Sequence, residues 1–384
     1  MKRDLLIVLV LCALAAAWLG QRAARTSGSA AGRLNTTALL GAAPEEFRRV
    51  TGPRLLTFPD DHAMHPGFRN EWWYFTGNLA DGAGRRFGFQ FTLFRFALGA
   101  GMQADSDFAA DAIWMAHLAV SDIANERFHA RERFARGALG LAGATADEWW
   151  LRDWRVRLTD RGWRLRADAG EFALELDLAP VKPIVLHGQA GYSRKGPEPG
   201  NASRYYSITR LAADGRVGLG GLEHEVSGTA WLDREWGSSQ LGEGLSGWDW
   251  FALQLDDGRD LMLYRLRTEA GTESPFSAGM LVTADGEATV LAAGDFELEP
   301  RMRWRDPQGI DWPVGWRLAV PAAGLELDVE AAFEAQRWNT SVEYWEGAVD
   351  VFAAAGGEPA GRGYMELSGY AESAGGRGAD VTAD

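Results

Sequence analysis

Hydrophobic positions along the chain recur with period two. Phe172, Leu174, Leu176 and Leu178 alternate with Ala173, Glu175 and Asp177, the pattern of a strand with one buried face. Phe87, Phe89, Phe91 and Leu93 repeat it, and Leu261, Leu263 and Arg265 run against Met262, Tyr264 and Leu266. Ile113 to Val120 alternates around His117. Between the chain ends no segment keeps a 3.6-residue period. Asp-Gly pairs punctuate the runs at 81–82, 214–215, 257–258 and 285–286, and such pairs supply the positive φ of tight hairpin turns. Many short strands without helices predict an all-β sandwich or barrel.

One stretch occurs twice. Trp72-Trp73-Tyr74-Phe75 through Asp81-Gly82 aligns without gaps on Trp248-Asp249-Trp250-Phe251 through Asp257-Gly258. Each copy runs into an apolar strand that ends in arginine, at Phe94-Arg95 and Leu266-Arg267. An opening strand, a hairpin turn and a second strand used twice predict two domains of one architecture. The boundary is expected near 215–228, around Asp214-Gly215 or Gly220-Gly221, giving barrels over 51–220 and 221–372.

The ends differ in character. A short basic start precedes the apolar run Leu5–Leu19. That run is shorter than the roughly 20 residues of a spanning helix and suits a signal segment or membrane anchor over 1–25. Residues 26–50 read as a flexible linker and 373–384 as a disordered tail. Export to the periplasm or cell envelope is expected, with the membrane met through the N-terminal segment. The single cysteine, Cys12, lies in the leader, which excludes disulfides and thiolate metal clusters. A net charge of −14 argues against nucleic acid as a partner. Seventeen tryptophans, spread along the chain, suggest aromatic-lined barrels rather than one anchor site.

Longer motifs resemble a known family. Phe58-Pro59-Asp60-Asp61-His62 with His65-Pro66-Gly67-Phe68-Arg69-Asn70-Glu71-Trp72-Trp73-Tyr74-Phe75-Thr76-Gly77 resembles the opening motif of the carotenoid 1,2-hydratase/AttH-type family. Trp231-Leu232-Asp233-Arg234-Glu235-Trp236-Gly237 and Gly247-Trp248-Asp249-Trp250-Phe251 resemble its central motif. Tyr344-Trp345-Glu346-Gly347-Ala348-Val349 and Gly363-Tyr364-Met365-Glu366-Leu367-Ser368-Gly369-Tyr370 resemble its closing motif. The resemblance implies two lipocalin-like barrels in tandem and a function that varies among members. Some hydrate the terminal double bond of acyclic carotenoids without a cofactor, some act as cyclases, and some are secreted proteins found with ABC-transporter components.

Hydrating an unactivated alkene needs a positioned acid, and a carboxyl among apolar side chains keeps its proton to higher pH. Asp233, between Trp231 and Trp236, matches the acid of the hydratases' Tyr-x-Asp motif; Trp231 stands where those enzymes carry tyrosine. Asp233 and its neighbour Glu235 are the candidate catalytic residues, with pairing to Arg234 as the structural alternative. Trp231, Trp236, Trp73, Tyr74, Trp248 and Trp250 are expected to line an apolar ligand inside the barrels, with Glu71 and His117. Glu71 also reads as a buried partner of Arg69 or Arg95. His62 and His65 beside Asp60 and Asp61 would need a distant third ligand such as His117 to hold zinc, so neither metal nor cofactor is expected. No Gly-x-Ser-x-Gly elbow and no phosphate-binding loop occur. Two functions compete: an exported carrier of a lipid or isoprenoid, acting as an accessory to ABC-transporter components, and a cofactor-free hydratase or cyclase using Asp233.

Overall fold

The computed structural model describes residues 41, 45–100, 109–239 and 241–371. Its regular elements are strands and three short 3-10 turns. The first group comprises β1 (Asn70–Asp81), β2 (Arg86–Ala97), β3 (Ala112–Asp122), β4 (Arg127–Arg136), β5 (Ala142–Ala144), β6 (Glu148–Leu151), β7 (Trp154–Thr159), β8 (Gly162–Asp168), β9 (Phe172–Pro180), β10 (Ile184–Leu186), β11 (Tyr192–Arg194), β12 (Ala202–Leu219) and β13 (Leu222–Gly237). The second comprises β14 (Leu245–Leu255), β15 (Asp260–Thr268), β16 (Ala278–Val282), β17 (Ala288–Ala292), β18 (Glu297–Arg305), β19 (Asp311–Val320), β20 (Leu325–Ala331), β21 (Arg337–Asn339), β22 (Glu343–Ala353) and β23 (Pro359–Ser368).

The first sheet is ordered β4-β3-β2-β1-β13-β12-β9-β8-β7-β6-β5, and the second β17-β16-β15-β14-β23-β22-β20-β19-β18. In each, the first strand pairs antiparallel with the last, β1 with β13 and β14 with β23. Each sheet curls around its own core from these central pairs, and the fold is two lipocalin-like barrels in tandem. The two copies of the repeated stretch occupy equivalent places, on β1 and β14, each followed by a hairpin into the next strand.

Each barrel is filled. Trp73, Phe75, Phe89, Phe91, Trp149 and Trp154 belong to one cluster inside the first, and Phe251, Trp312, Trp316 and Trp345 to another inside the second. A third cluster, with Tyr74, Tyr205, Trp231, Trp250, Met262 and Tyr264, lies on the other face of the same strands, where the barrels meet. β15 shows the consequence in sequence. Leu261 and Leu263 enter the second barrel's core while Met262, Tyr264 and Leu266 enter the seam, so both faces are apolar.

Several expectations change. β13 is hydrogen-bonded between β1 and β12 of the first sheet, so the handover falls between Gly237 and Leu245 rather than at Gly220-Gly221. Those two glycines, both with positive φ, turn the long β12–β13 hairpin. Asp214-Gly215 is no turn but lies within β12. Gly215 has φ 152°, and a Cβ there would come within 2.1 Å of the Glu175 carbonyl on β9, so the glycine permits a close strand approach. At the end of the expected linker, Phe47 and Val50 are buried. No helix among the described residues is long and apolar enough to cross a membrane; residues 1–25 and 373–384 lie outside them.

Candidate active site at the seam between the barrels

Strand alternation sends neighbouring residues of β13 to opposite sides. Leu232 enters the first barrel's core and Arg234 lies on that same side. Trp231, Asp233 and Glu235 face the seam. There a cavity of about 140 Å³ is lined by Tyr74, Asp233, Glu235, Trp248, Trp250, Glu346 and Glu366 among others. The cavity therefore lies between the barrels, whereas the sequence predicts a ligand space inside them. The interiors hold tryptophan and phenylalanine packed against one another.

Asp233 is buried, and its hydrogen-bond partners come from its own sheet. Ser207 stands opposite it on β12 and Tyr74 opposite it on β1. Tyr205 Oη donates to its Oδ2 at 2.5 Å, Trp231 Nε1 to Oδ1 at 2.6 Å, and Ser207 Oγ also to Oδ1. Ser207 is held in turn by His187 Nε2 at 2.6 Å, and Tyr205 receives Trp250 Nε1 at 3.3 Å from the second barrel. Burial pushes the Asp233 carboxyl up to about 7, against the pull of these three donors and with a further push from Glu235. Trp231 thus puts an indole donor on the carboxyl, and Tyr205 supplies a hydroxyl from the next strand.

The second barrel brings two more carboxyls, which the sequence reading did not select. Glu346 on β22 and Glu366 on β23 are register partners, so two like charges would sit side by side. Burial pushes Glu366 up to about 7 against the Trp248 Nε1 hydrogen bond of 2.9 Å, with Asp233 and Glu235 adding to the rise. Glu346 is held well above the usual carboxylate range by burial and by Glu366. It accepts a hydrogen bond from Tyr74 across the seam, and its Oε2 has no partner in the protein. Glu235 is different. It lies 3.4 Å from Lys195 Nζ and accepts from Ser203. Burial opposes the charge of Lys195, but Glu235 and Tyr264 raise its pKa; its Nζ sits 3.9 Å from the Tyr264 ring centroid.

Four expected ligand-binding residues do not line the cavity: Trp231, buried in the seam cluster beside it, and three that lie on the other side. Glu71 is fully buried on the opposite face, paired with Arg234 at 2.6 Å and Arg95 at 3.0 Å. Burial would raise its pKa, but Arg234 and the surrounding donors hold it at about 2. Trp73 is in the first barrel's core with Nε1 on the His62 carbonyl. Trp236 stacks on His65 at 3.9 Å. Each is the odd or even neighbour of a residue that does face the seam, so the motif was right and the strand phase decided the side. Arg234 likewise serves Glu71 and not Asp233. Tyr74, Trp248 and Trp250 line the cavity at the seam, and His117 lines it too instead of facing the barrel interior.

His62 Nδ1 is 2.6 Å from Tyr206 Oη, and His65 lies between Asp61 and Glu71. Among the described residues no three or more His, Cys, Asp or Glu side chains are placed to hold a metal ion.

Comparison with known proteins agrees with this architecture. A crystal structure of an AttH from Nitrosomonas europaea is 35% identical, with a TM-score of 0.77 over 84% of this chain and 100% of that one. Kievitone hydratase from Nectria haematococca is 13% identical, with a TM-score of 0.62 over 86% of this chain and 98% of that one. CghA with Sch210972 is 14% identical, with a TM-score of 0.52 over 86% and 98%. At such identities the last two show a common fold alone. No curated protein matches the sequence. Residues 49–370 match the profile of the AttH-like family, and the chain belongs to that family.

Proposed function

We propose that this protein is a cofactor-free acid catalyst that adds water to, or cyclises, an apolar alkene-bearing substrate held between its barrels, with Asp233 as general acid. One observation carries the reading. Asp233 is a fully buried carboxyl in an aromatic frame, with a pKa of about 7 and three donors on its two oxygens.

Burial favours the protonated form and the three donors favour the anion, so either form is accessible near neutrality. The Asp233 O–H bond breaks as its proton forms a C–H bond at one alkene carbon, leaving a carbocation at the other. The rings of Trp72, Trp248, Trp250 and Tyr264 around the cavity stabilise that cation through their quadrupoles. Water then forms the C–O bond and loses a proton to a base of the cavity, or an internal double bond attacks and closes a ring, which moves the cation to another carbon that in turn loses a proton to a base or takes up water. The Asp233 anion left behind keeps its hydrogen bonds from Tyr205, Ser207 and Trp231. Glu366, also near 7, is a second acid on the opposite wall. Kievitone hydratase, of the same fold, carries the name of a water-adding enzyme, which supports the reading.

The second reading is an exported carrier of a lipid or isoprenoid, which the aromatic cavity and the apolar leader also suit. A carrier has no use for three buried carboxyls with raised pKa values, because burying them costs stability without a charge partner. The enzyme reading therefore stands first. Its test is incubation with acyclic polyenes and prenylated phenols in ¹⁸O-labelled water, followed by mass spectrometry. The unaltered protein is expected to yield labelled alcohol or an isomer of the substrate, and Asp233→Asn to lose it by roughly a hundredfold or more. Tight binding of these compounds with no product from the unaltered protein would establish the carrier instead.

A further inference from the structure

The acid chemistry above leaves a proton to be collected: water that captures a carbocation must lose one. The cavity lining also includes a separate chain of groups that no step has used. Tyr344 on β22 lines the cavity, as does His117 on β3. Tyr344 Oη lies 2.5 Å from His117 Nδ1, and His117 Nε2 lies 2.9 Å from Glu132 Oε1 on β4. Glu132 also accepts from Ser341 Oγ at 2.6 Å and from the Ser341 amide at 3.3 Å.

The polarity of this chain is fixed at its outer end. Glu132 is the directly registered neighbour of His117 and is held below the ordinary carboxylate range by its donors, His117 first and Ser341 next, despite partial burial. An ionised carboxylate only accepts, so His117 Nε2 carries the hydrogen and Nδ1 is left to accept from the Tyr344 hydroxyl. The ring cannot swing away. It stacks on Trp338 at 4.4 Å and meets Phe94 edge-on at 5.4 Å, with no exposed surface. Burial holds His117 below the usual imidazole range, against the pull of Glu132, so a neutral base stands behind the phenol.

We propose that Tyr344, His117 and Glu132 form a phenol–imidazole–carboxylate triad that serves as the general base of the cavity. Water or another O–H group of a bound substrate gives its proton to Tyr344 Oη. The phenolic proton passes to His117 Nδ1, and the resulting imidazolium is paired with Glu132 through Nε2–H. A lone pair of that oxygen forms the new C–O bond, and the electron pair of the broken O–H bond stays on the oxygen. Glu132, the partly exposed member, returns the excess proton to solvent. Tyr344 is the group that would touch substrate; Glu132 is a positioning residue.

This inference rests on the acid-catalysis reading, but its test does not need the natural substrate. Phenylmethanesulfonyl fluoride is a small apolar probe that reacts with a phenol once its proton is removed. The Tyr344 oxygen forms a bond to sulfur, fluoride leaves, and the phenolic proton goes to His117. Peptide mass spectrometry of the full chain follows modification at Tyr344 with time. The unaltered protein is expected to be modified at Tyr344, and His117→Gln to react at least about tenfold more slowly. Glu132→Gln keeps the ring and its stacking but removes the anion; it should also slow the reaction, and Glu132→Asp should restore part of the rate. Tyr344 modification requires no alkene protonation, so failure of the triad here and failure of the acid reading in the labelled-water experiment are told apart. Absence of modification at Tyr344 in the unaltered protein, or equal rates in the unaltered protein and Glu132→Gln, overturns the triad.

Discussion

Asp233 is the residue at which sequence and environment are most tightly coupled. Its carboxyl keeps a proton up to about 7 in the folded chain and only to about 4 when unfolded. The folded state therefore binds the extra proton between those values. The stability this contributes is complete below about pH 4 and is lost as pH rises through 7, reaching roughly 4 kcal/mol for a full shift of this size. Asp233→Asn resembles the protonated acid in shape and does not titrate. Its stability relative to the unaltered protein should improve by up to a few kcal/mol between pH 5 and pH 8, read from denaturation midpoints, while turnover falls. A variant that gains stability at alkaline pH as it loses activity marks a strained functional group. Asp233 was legible because it stands inside a tryptophan-framed motif. Glu346 and Glu366 stand in motifs just as long, Tyr344-Trp345-Glu346 and Met365-Glu366-Leu367, yet were not selected. A carboxylate on an alternating strand ordinarily marks the solvent face. Only the apposition of the other barrel makes that face a buried one.

At the scale of the element, period-two alternation named the strands correctly. β9 buries Phe172, Leu174, Leu176 and Leu178 as read. The repeat also located β1 and β14 as equivalent openings. What alternation did not carry was phase, meaning which of two apolar faces belongs to a barrel and which to the seam. Trp72 and Trp73 are adjacent, and one lines the cavity while the other fills a core. Turn chemistry misled in one place. Asp214-Gly215 has a hairpin signature, but the glycine is there because β12 crosses β9 closely. Gly215→Ala would set a Cβ against the Glu175 carbonyl at a φ that side chains seldom adopt. It should destabilise the protein by about 1–3 kcal/mol, measured by urea denaturation, with a larger effect than Gly220→Ala, where the surroundings are open. An ordinary turn at 214–215 would give the two substitutions similar, smaller costs.

At the scale of the whole molecule, the cavity exists only because the two barrels are clasped, and the clasp has a polar end that no local pattern could reveal. Asp260, at the start of β15 in the second barrel, accepts from Thr209 Oγ1 at 2.8 Å on β12 in the first. It is also paired with Lys182 at 2.7 Å and Arg210 at 2.6 Å, both from the first barrel. The Asp260 side chain is fully buried, and only 4% of the Lys182 side chain is exposed. The Lys182 ammonium also reaches the Gly258 carbonyl at 2.6 Å. Removing the carboxylate leaves a buried cation without its counter-charge, which costs about 3–5 kcal/mol. Asp260→Ala should therefore lower stability by that amount. Because the lost contacts bind barrel to barrel and neither core is touched, the loss should fall on their coupling. A denaturation curve that is a single transition in the unaltered protein should broaden or divide in Asp260→Ala when followed by tryptophan emission and far-UV circular dichroism together. The seam cavity should loosen with it, so that Tyr344 modification by phenylmethanesulfonyl fluoride loses its dependence on Glu132. If the two probes still coincide and that dependence is kept, the barrels are held by the apolar seam alone, and the polar clasp contributes only to local stability.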